Sequence, residues 1–190
     1  MGMKQTLEVI NAMETEGVIG RYAISGAIAA YNYIEAAVTD DLDVLVSFDQ
    51  IAETKGLVKL GPIFAHLKAR GYSEHRHEGI VIEGWPVQFL PVASALDEEA
   101  LARAQEIDIA LDKVEGTIRT RILRPEHLAA IALRVGRPKD LVRIAQFVEE
   151  SAVDVRTLCD VLGRHDLMEQ WRSFCVRVGL KDPCRVQGRS

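Results

Sequence analysis

Long apolar runs are missing from this chain, and so is a strong cysteine pattern. No stretch approaches the roughly 18 apolar residues that a spanning helix needs, which excludes a transmembrane protein of the helical kind. The opening MGMKQTLEVI lacks the apolar core of a signal peptide. Together these absences predict a cytoplasmic protein with no membrane partner. The same opening fits the pattern M-G-x-x-x-T for myristoylation, which is short enough to arise by chance. Cys159, Cys175 and Cys184 are odd in number and show no C-x-x-C spacing. That predicts free thiols, with neither a zinc site nor a disulfide framework. Internal repeats and low-complexity tracts are absent too. What remains, 48% apolar and 27% charged over 190 residues, is an ordinary globular composition. The length suits one sizeable domain, or one core with a helical extension.

Charge is unevenly placed. Residues 1–95 carry 12 acids and 7 bases, a balance of −5, whereas residues 96–190 carry 16 of each. Between Arg119 and Arg143, seven bases (Arg119, Arg121, Arg124, Arg134, Arg137, Lys139 and Arg143) stand against Glu126 and Asp140. An acidic first half beside a locally basic stretch suits a metal with a polyphosphate. It does not suit a general nucleic-acid binder, which needs a broad basic surface.

Apolar spacing orders the elements. Leu7, Ile10 and Met13 recur at helical intervals in 4–15. RYAIS (21–25) reads as a short strand, the alanine-rich 27–37 as a helix, and DLDVLVSF (41–48) as a strand covered on both faces. A helix follows at roughly 57–70, closed by Gly71. Ile80–Ile82 and Val87–Pro91 flank Gly84-Trp85 as an antiparallel hairpin. Residues 97–107 open with acids, as a helix start should, and TIRTRIL (117–123) alternates as a strand. Pro125 starts a helix at its first position, Gly136-Arg137-Pro138 interrupts it, and helices fit 154–163 and 165–178. The expected fold is therefore α+β (α/β). It has a small mixed sheet with packed helices in 1–95, a mostly helical 96–180 that completes the cleft, and a frayed tail, 181–190.

One constellation carries chemistry. On a strand, residues i and i+2 share a face, so Asp41 and Asp43 in TDDLDVLV project side by side while Asp40 points away. Like charges so placed are unfavourable without a cation or proton between them. A hard ion such as Mg²⁺, shared with substrate phosphates, meets that need. One helix upstream, Ser25-Gly26 lies where a strand hands over to a helix, and glycine there allows close backbone approach of an anion. Taken alone, the aspartates read equally as an acidic turn.

The order AISGAIAAYNYIEAAVTDDLDVLV resembles the nucleotidyltransferase superfamily with the DNA polymerase β-type core, over roughly residues 18–148. The T-x-D-L-D form, with PEHLAAIALRVGRPKDLVRI (125–144), is similar to abortive-infection toxins of the AbiEii type and related bacterial nucleotidyltransferase-like proteins. The resemblance implies that Ser25 and Gly26 hold triphosphate oxygens and that Asp41 and Asp43 are catalytic and ligate Mg²⁺. It implies that Arg137 and Lys139 neutralise phosphate while Asp140 orients one of them. The implied reaction passes NMP from a nucleoside triphosphate to an RNA, protein or small-molecule acceptor, and the implied partner is an antitoxin.

Departures from that pattern point to a second reading. The superfamily's third carboxylate falls on Gln88 in PVQFLP, its lysine before the glycine on Ala132, and an aspartate after Lys139-Asp140 on Arg143. These losses suit a catalytically degenerate nucleotide-binding or protein-interaction module. Glu83, across the Gly84-Trp85 turn, is a carboxylate that could stand in for Gln88. His75 and His77 in EHRHEG share a face of a polar edge strand, without a third ligand at a defined spacing.

Overall fold

The computed structural model describes residues 2–35, 39–48, 60–110 and 117–187. The first turn of the helix expected at 57–70 and the end of the one expected at 27–37 lie outside those residues. The chain divides into two compact units. Residues 1–29 and 37–123 form the first, and residues 30–36 with 124–190 form the second. The boundary expected near residue 95 falls inside the first unit.

Unit 1 is built on a seven-stranded mixed sheet, so the α+β architecture read from the sequence is present. Helix α1 (Met3–Thr15) buries Leu7, Ile10 and Met13. It precedes β1 (Tyr22–Ile24), the short α2 (Gly26–Ala30) and β2 (Leu42–Val46). Helix α3 (Gly61–Ala69), the two-residue β3 (His75–Arg76), β4 (Gly79–Ile82) and β5 (Trp85–Pro91) follow. Helix α4 (Ala95–Ala102), β6 (Gln105–Ala110) and β7 (Thr117–Ile122) complete the unit. The strands lie in the order β3-β4-β5-β2-β1-β7-β6. β2 runs parallel to β5 and β1 parallel to β7, while the other neighbours are antiparallel.

The β4–β5 hairpin turns on Glu83 and Gly84, whose φ values of 51° and 93° are both positive. That is the sign a tight hairpin turn needs to follow the twist of its strands. Leu42, Val44 and Val46 of β2 are fully buried, as a central strand with both neighbours occupied requires.

Two expectations for this stretch are corrected. The helix read at 97–107 stops at Ala102, and β6 begins at Gln105. β6 is an edge strand paired only with β7. The alanine-rich helix read at 27–37 ends at Ala30, with residues 31–33 in a turn. Local propensity is a weak prior that tertiary context overrides.

Unit 2 is helical. Helices α5 (Pro125–Val135), α6 (Pro138–Glu149), α7 (Val155–Arg164) and α8 (Met168–Val178) pack around Phe147, Leu158, Val161, Trp171 and Phe174, all fully buried. The segment 30–36 joins this unit through the Glu35 amide, which donates to Glu150 Oε2 at 3.1 Å. Pro125 and Pro138 each start a helix, and Gly136 ends α5 in the left-handed region at φ 72°.

The cysteine expectation is corrected here. Cys159 on α7 is bonded to Cys184 in a 3-10 turn (Pro183–Gln187), with Cα atoms 5.6 Å apart, and Cys175 is free and buried. The pairing left no local signature because the partners lie 25 residues apart and meet only after α8 returns the chain. The turn is also held by Asp182, whose Oδ1 accepts from the Trp171 indole at 2.8 Å and from the Cys184 amide at 3.0 Å. Where the sequence suggested a frayed tail, residues 183–187 are helical and tethered.

Candidate active site

β1 and β2 are antiparallel neighbours, with Ile24 opposite Val44. The chain leaves β1 at Ser25, whose amide donates to the Asp43 carbonyl at 2.8 Å. Ser25 is buried, and its own carbonyl accepts from the Ala29 amide at 3.3 Å, so α2 starts from it directly. Gly26 then takes φ +60°. A Cβ built on Gly26 would land on the Asp43 carboxylate, with the Asp43 Cβ only 3.1 Å away. Glycine is therefore needed twice over, for its backbone and for the space that Asp43 fills.

Asp41 precedes β2 and Asp43 lies within it. Asp43 is partly exposed between fully buried Leu42 and Val44, Asp41 is partly exposed, and Asp40 is exposed. The Thr39 hydroxyl donates to Asp41 Oδ1 at 2.6 Å and so orients that carboxylate. Thr39 is a positioning residue that composition and spacing did not single out. Among the described residues no group of three or more His, Cys, Asp or Glu side chains is arranged to hold a metal. Two carboxylates are nevertheless a sufficient protein donor set for Mg²⁺, which keeps waters and takes substrate phosphate oxygens for its remaining positions. The all-oxygen donor chemistry of Asp41 and Asp43 suits such an ion.

Across the parallel β2–β5 pairing, Asp43 lies opposite Gln88. Both are partly exposed while Val44, Val87 and Phe89 beside them are buried. Gln88 is thus the cross-strand neighbour of the candidate ligand, and its Nε2 donates to Glu78 Oε2 at 2.8 Å. Glu83 does not take this place. It sits in the β4–β5 turn and accepts from the Tyr72 hydroxyl at 2.6 Å. From Trp85, where β5 begins, three strand residues or about 10 Å separate that end from Gln88.

Arg137, Lys139 and Asp140 belong to unit 2. Arg137 caps α6, and its Nε donates to Asp140 Oδ2 at 2.7 Å. Asp140 is 1% exposed and also meets Arg143 Nη1 through Oδ1 at 3.5 Å. One buried carboxylate so holds two guanidinium groups, while Arg137 and Lys139 stay at the surface. His75 and Arg76 form the edge strand β3, and His77 sits in the turn after it at φ 54°. No helix among the described residues is long and apolar enough to cross a membrane.

No family model matches the chain, and no curated protein matches it. Among solved structures, the chain is similar to the crystal structure of ANT(2″)-Ia in complex with adenylyl-2″-tobramycin. Identity is 16% and the TM-score 0.43, over 93% of this chain and 99% of that one. It is similar also to the solution structure of the antibiotic-resistance factor ANT(2″)-Ia, at 18% identity and TM-score 0.43, over 92% and 91%. Both likenesses are weak, and the chemistry that follows is drawn from this chain's own residues.

Proposed function

We propose that unit 1 carries a nucleotidyl-transfer site that binds a nucleoside triphosphate with Mg²⁺ and passes NMP to an acceptor hydroxyl. The observation that carries this reading is the seating of the Asp43 carboxylate against Gly26. Asp41 and Asp43 stand two residues apart at the start of β2, and the Thr39 hydroxyl donates to Asp41. Without a cation the two carboxylates repel each other.

Asp41 and Asp43 would hold Mg²⁺, which when bound supplies charge stabilisation at the attacking and leaving oxygens. The Ser25-Gly26 turn sets the triphosphate beside Asp43. Phosphoryl chemistry of this kind proceeds mainly by positioning and electrostatic stabilisation. The sequence resemblance alone assigns Arg137 and Lys139 to triphosphate charge, and within unit 2 Asp140 fixes the Arg137 guanidinium. The acceptor class stays open between RNA, protein and a small molecule, and an antitoxin partner rests on the sequence resemblance alone.

Isothermal titration with each of the four NTPs, with and without Mg²⁺, tests the site. Wild type is expected to bind one or more of them only in the presence of Mg²⁺. Asp41→Asn and Asp43→Asn are each expected to weaken that binding at least about tenfold, the loss of one charge-assisted contact. Binding that ignores both magnesium and these substitutions would overturn the assignment.

The second reading, a nucleotide-binding module without turnover, is favoured by Gln88. An amide beside Asp43 carries no charge for a metal and cannot take a proton. The two readings part on whether bound NTP yields pyrophosphate.

A further inference from the structure

We propose that Glu78, held by Gln88, is the proton acceptor of the transfer reaction, so that a glutamine and a glutamate together do the work of one strand carboxylate. This rests on the nucleotidyl-transfer reading above.

The geometry comes from the strand order. β5 lies between β2 and β4. Gln88 faces Asp43 on one side in the parallel register. On the other side, Ile80 pairs with Val87, and one further step sets Gly79 opposite Gln88. A Cβ on Gly79 would come within 3.0 Å of the Val87 backbone. The start of β4 is therefore pressed closely against β5, and a side chain at Gly79 would force the Val87 backbone to give. Glu78 immediately precedes this contact in the two-residue turn His77-Glu78, which His77 enters with a left-handed φ of 54°. The turn leaves the exposed Glu78 side chain at the edge of the Gln88 amide, which donates to it at 2.8 Å. An amide nitrogen can only donate here, and a carboxylate can only accept.

The role follows from what the site otherwise lacks. On that reading Asp41 and Asp43 would hold the cation, and Gln88 cannot accept a proton. Glu78 is the carboxylate that Gln88 touches, so at this strand position it is the group able to accept a proton. The charged or titratable residues on the adjoining elements are Asp43 on β2, His75 in β3, Glu74 and Arg76, which pair with each other at 3.2 Å, and His77 in the turn. In the step itself the acceptor hydroxyl gives its proton to the Glu78 carboxylate. Its oxygen forms a bond to the α-phosphorus, and the bond from that phosphorus to the bridging oxygen breaks. The electron pair leaves on pyrophosphate, and Glu78 passes its proton to solvent.

The test uses the full chain, the four NTPs with Mg²⁺, and water or total RNA as acceptor, with pyrophosphate release and calorimetric binding measured side by side. Glu78→Gln is expected to bind NTP·Mg²⁺ as wild type does, yet release pyrophosphate about 10²- to 10⁴-fold more slowly. The acidic limb of its pH–rate profile should disappear. Gln88→Ala should give a smaller loss, because it frees the carboxylate without removing it, and should keep that limb. Glu78→Gln within about threefold of the wild-type rate would overturn the proposal, as would wild type that binds NTP and releases no pyrophosphate. Loss of NTP binding in Glu78→Gln would make Glu78 a ligand, which also overturns it. Wild type that binds no NTP at all would instead strike down the nucleotidyl-transfer reading beneath it.

Discussion

A single methyl group probes the contact between Gly26 and Asp43. In Gly26→Ala the new Cβ meets the carboxylate, and φ +60° is unfavourable for any L side chain. The backbone part alone costs about 1–2 kcal/mol, and displacing Asp43 adds to it. Thermal melting should fall by several degrees, since about 1 kcal/mol is worth roughly 2–4 °C at this chain length. Magnesium-dependent NTP binding should be lost with it. An alanine variant that melts and binds like wild type would show that Asp43 does not need that space. At this scale the sequence was partly readable. The period of two along a strand sets Asp43 apart from its buried neighbours Leu42 and Val44, and Asp43 is partly exposed between them. Glu78 was not readable, because its place beside Gln88 depends on the pairing of β3, β4 and β5, which no spacing in EHRHEG encodes.

Among elements, the most legible were those whose turn chemistry and apolar pattern agree. The hairpin read around Gly84-Trp85 is present as β4–β5, with its turn one residue earlier at Glu83-Gly84 and Trp85 already in β5, and Pro125 marks a helix start. β6 was hidden for the opposite reason. Its QEIDIA carries polar residues on the solvated side of an edge strand and follows a real helix start. There the Ser94 hydroxyl accepts from the Asp97 amide and donates to the Asp97 carboxylate. The 3-10 turn near the C-terminus was hidden because a disulfide and Asp182 hold it. That link closes a loop of about 25 residues, for which chain-entropy arguments give roughly 3 kcal/mol. Cys159→Ser, or reduction of the wild type, should therefore lower the urea midpoint and open residues 180–187 to proteases. Identical midpoints and cleavage patterns with and without reductant would exclude a stabilising role.

Across the whole molecule, two acidic groups set an alkaline limit. Burial pushes the Cys175 thiol up to about 11, helped by the negative charge of Asp182. Burial pushes the Tyr33 hydroxyl up to about 12, with Glu126 raising it further and Arg124 opposing. Each raised group holds its proton more tightly when folded, so its contribution is complete below the unfolded value. It is lost as pH rises, from about 9 to 11 for the thiol and from about 10 to 12 for the phenol. Urea midpoints should be level up to about pH 9 and then decline. Tyr33→Phe should lessen the upper part of that decline, to which the likewise raised Tyr22 and Tyr72 also contribute, and a midpoint still level at pH 11 would contradict both shifts. At the same scale, the chain passes between its two units three times, after residues 29, 36 and 123. Neither unit is a continuous piece of sequence, and the helical one borrows seven residues from the stretch between Ser25-Gly26 and Asp41. A cut at Leu123 would strand that loan with the wrong fragment. Inheritance of the two units as separable modules is thereby closed off, and the segment that separates turn from aspartates is answerable to both.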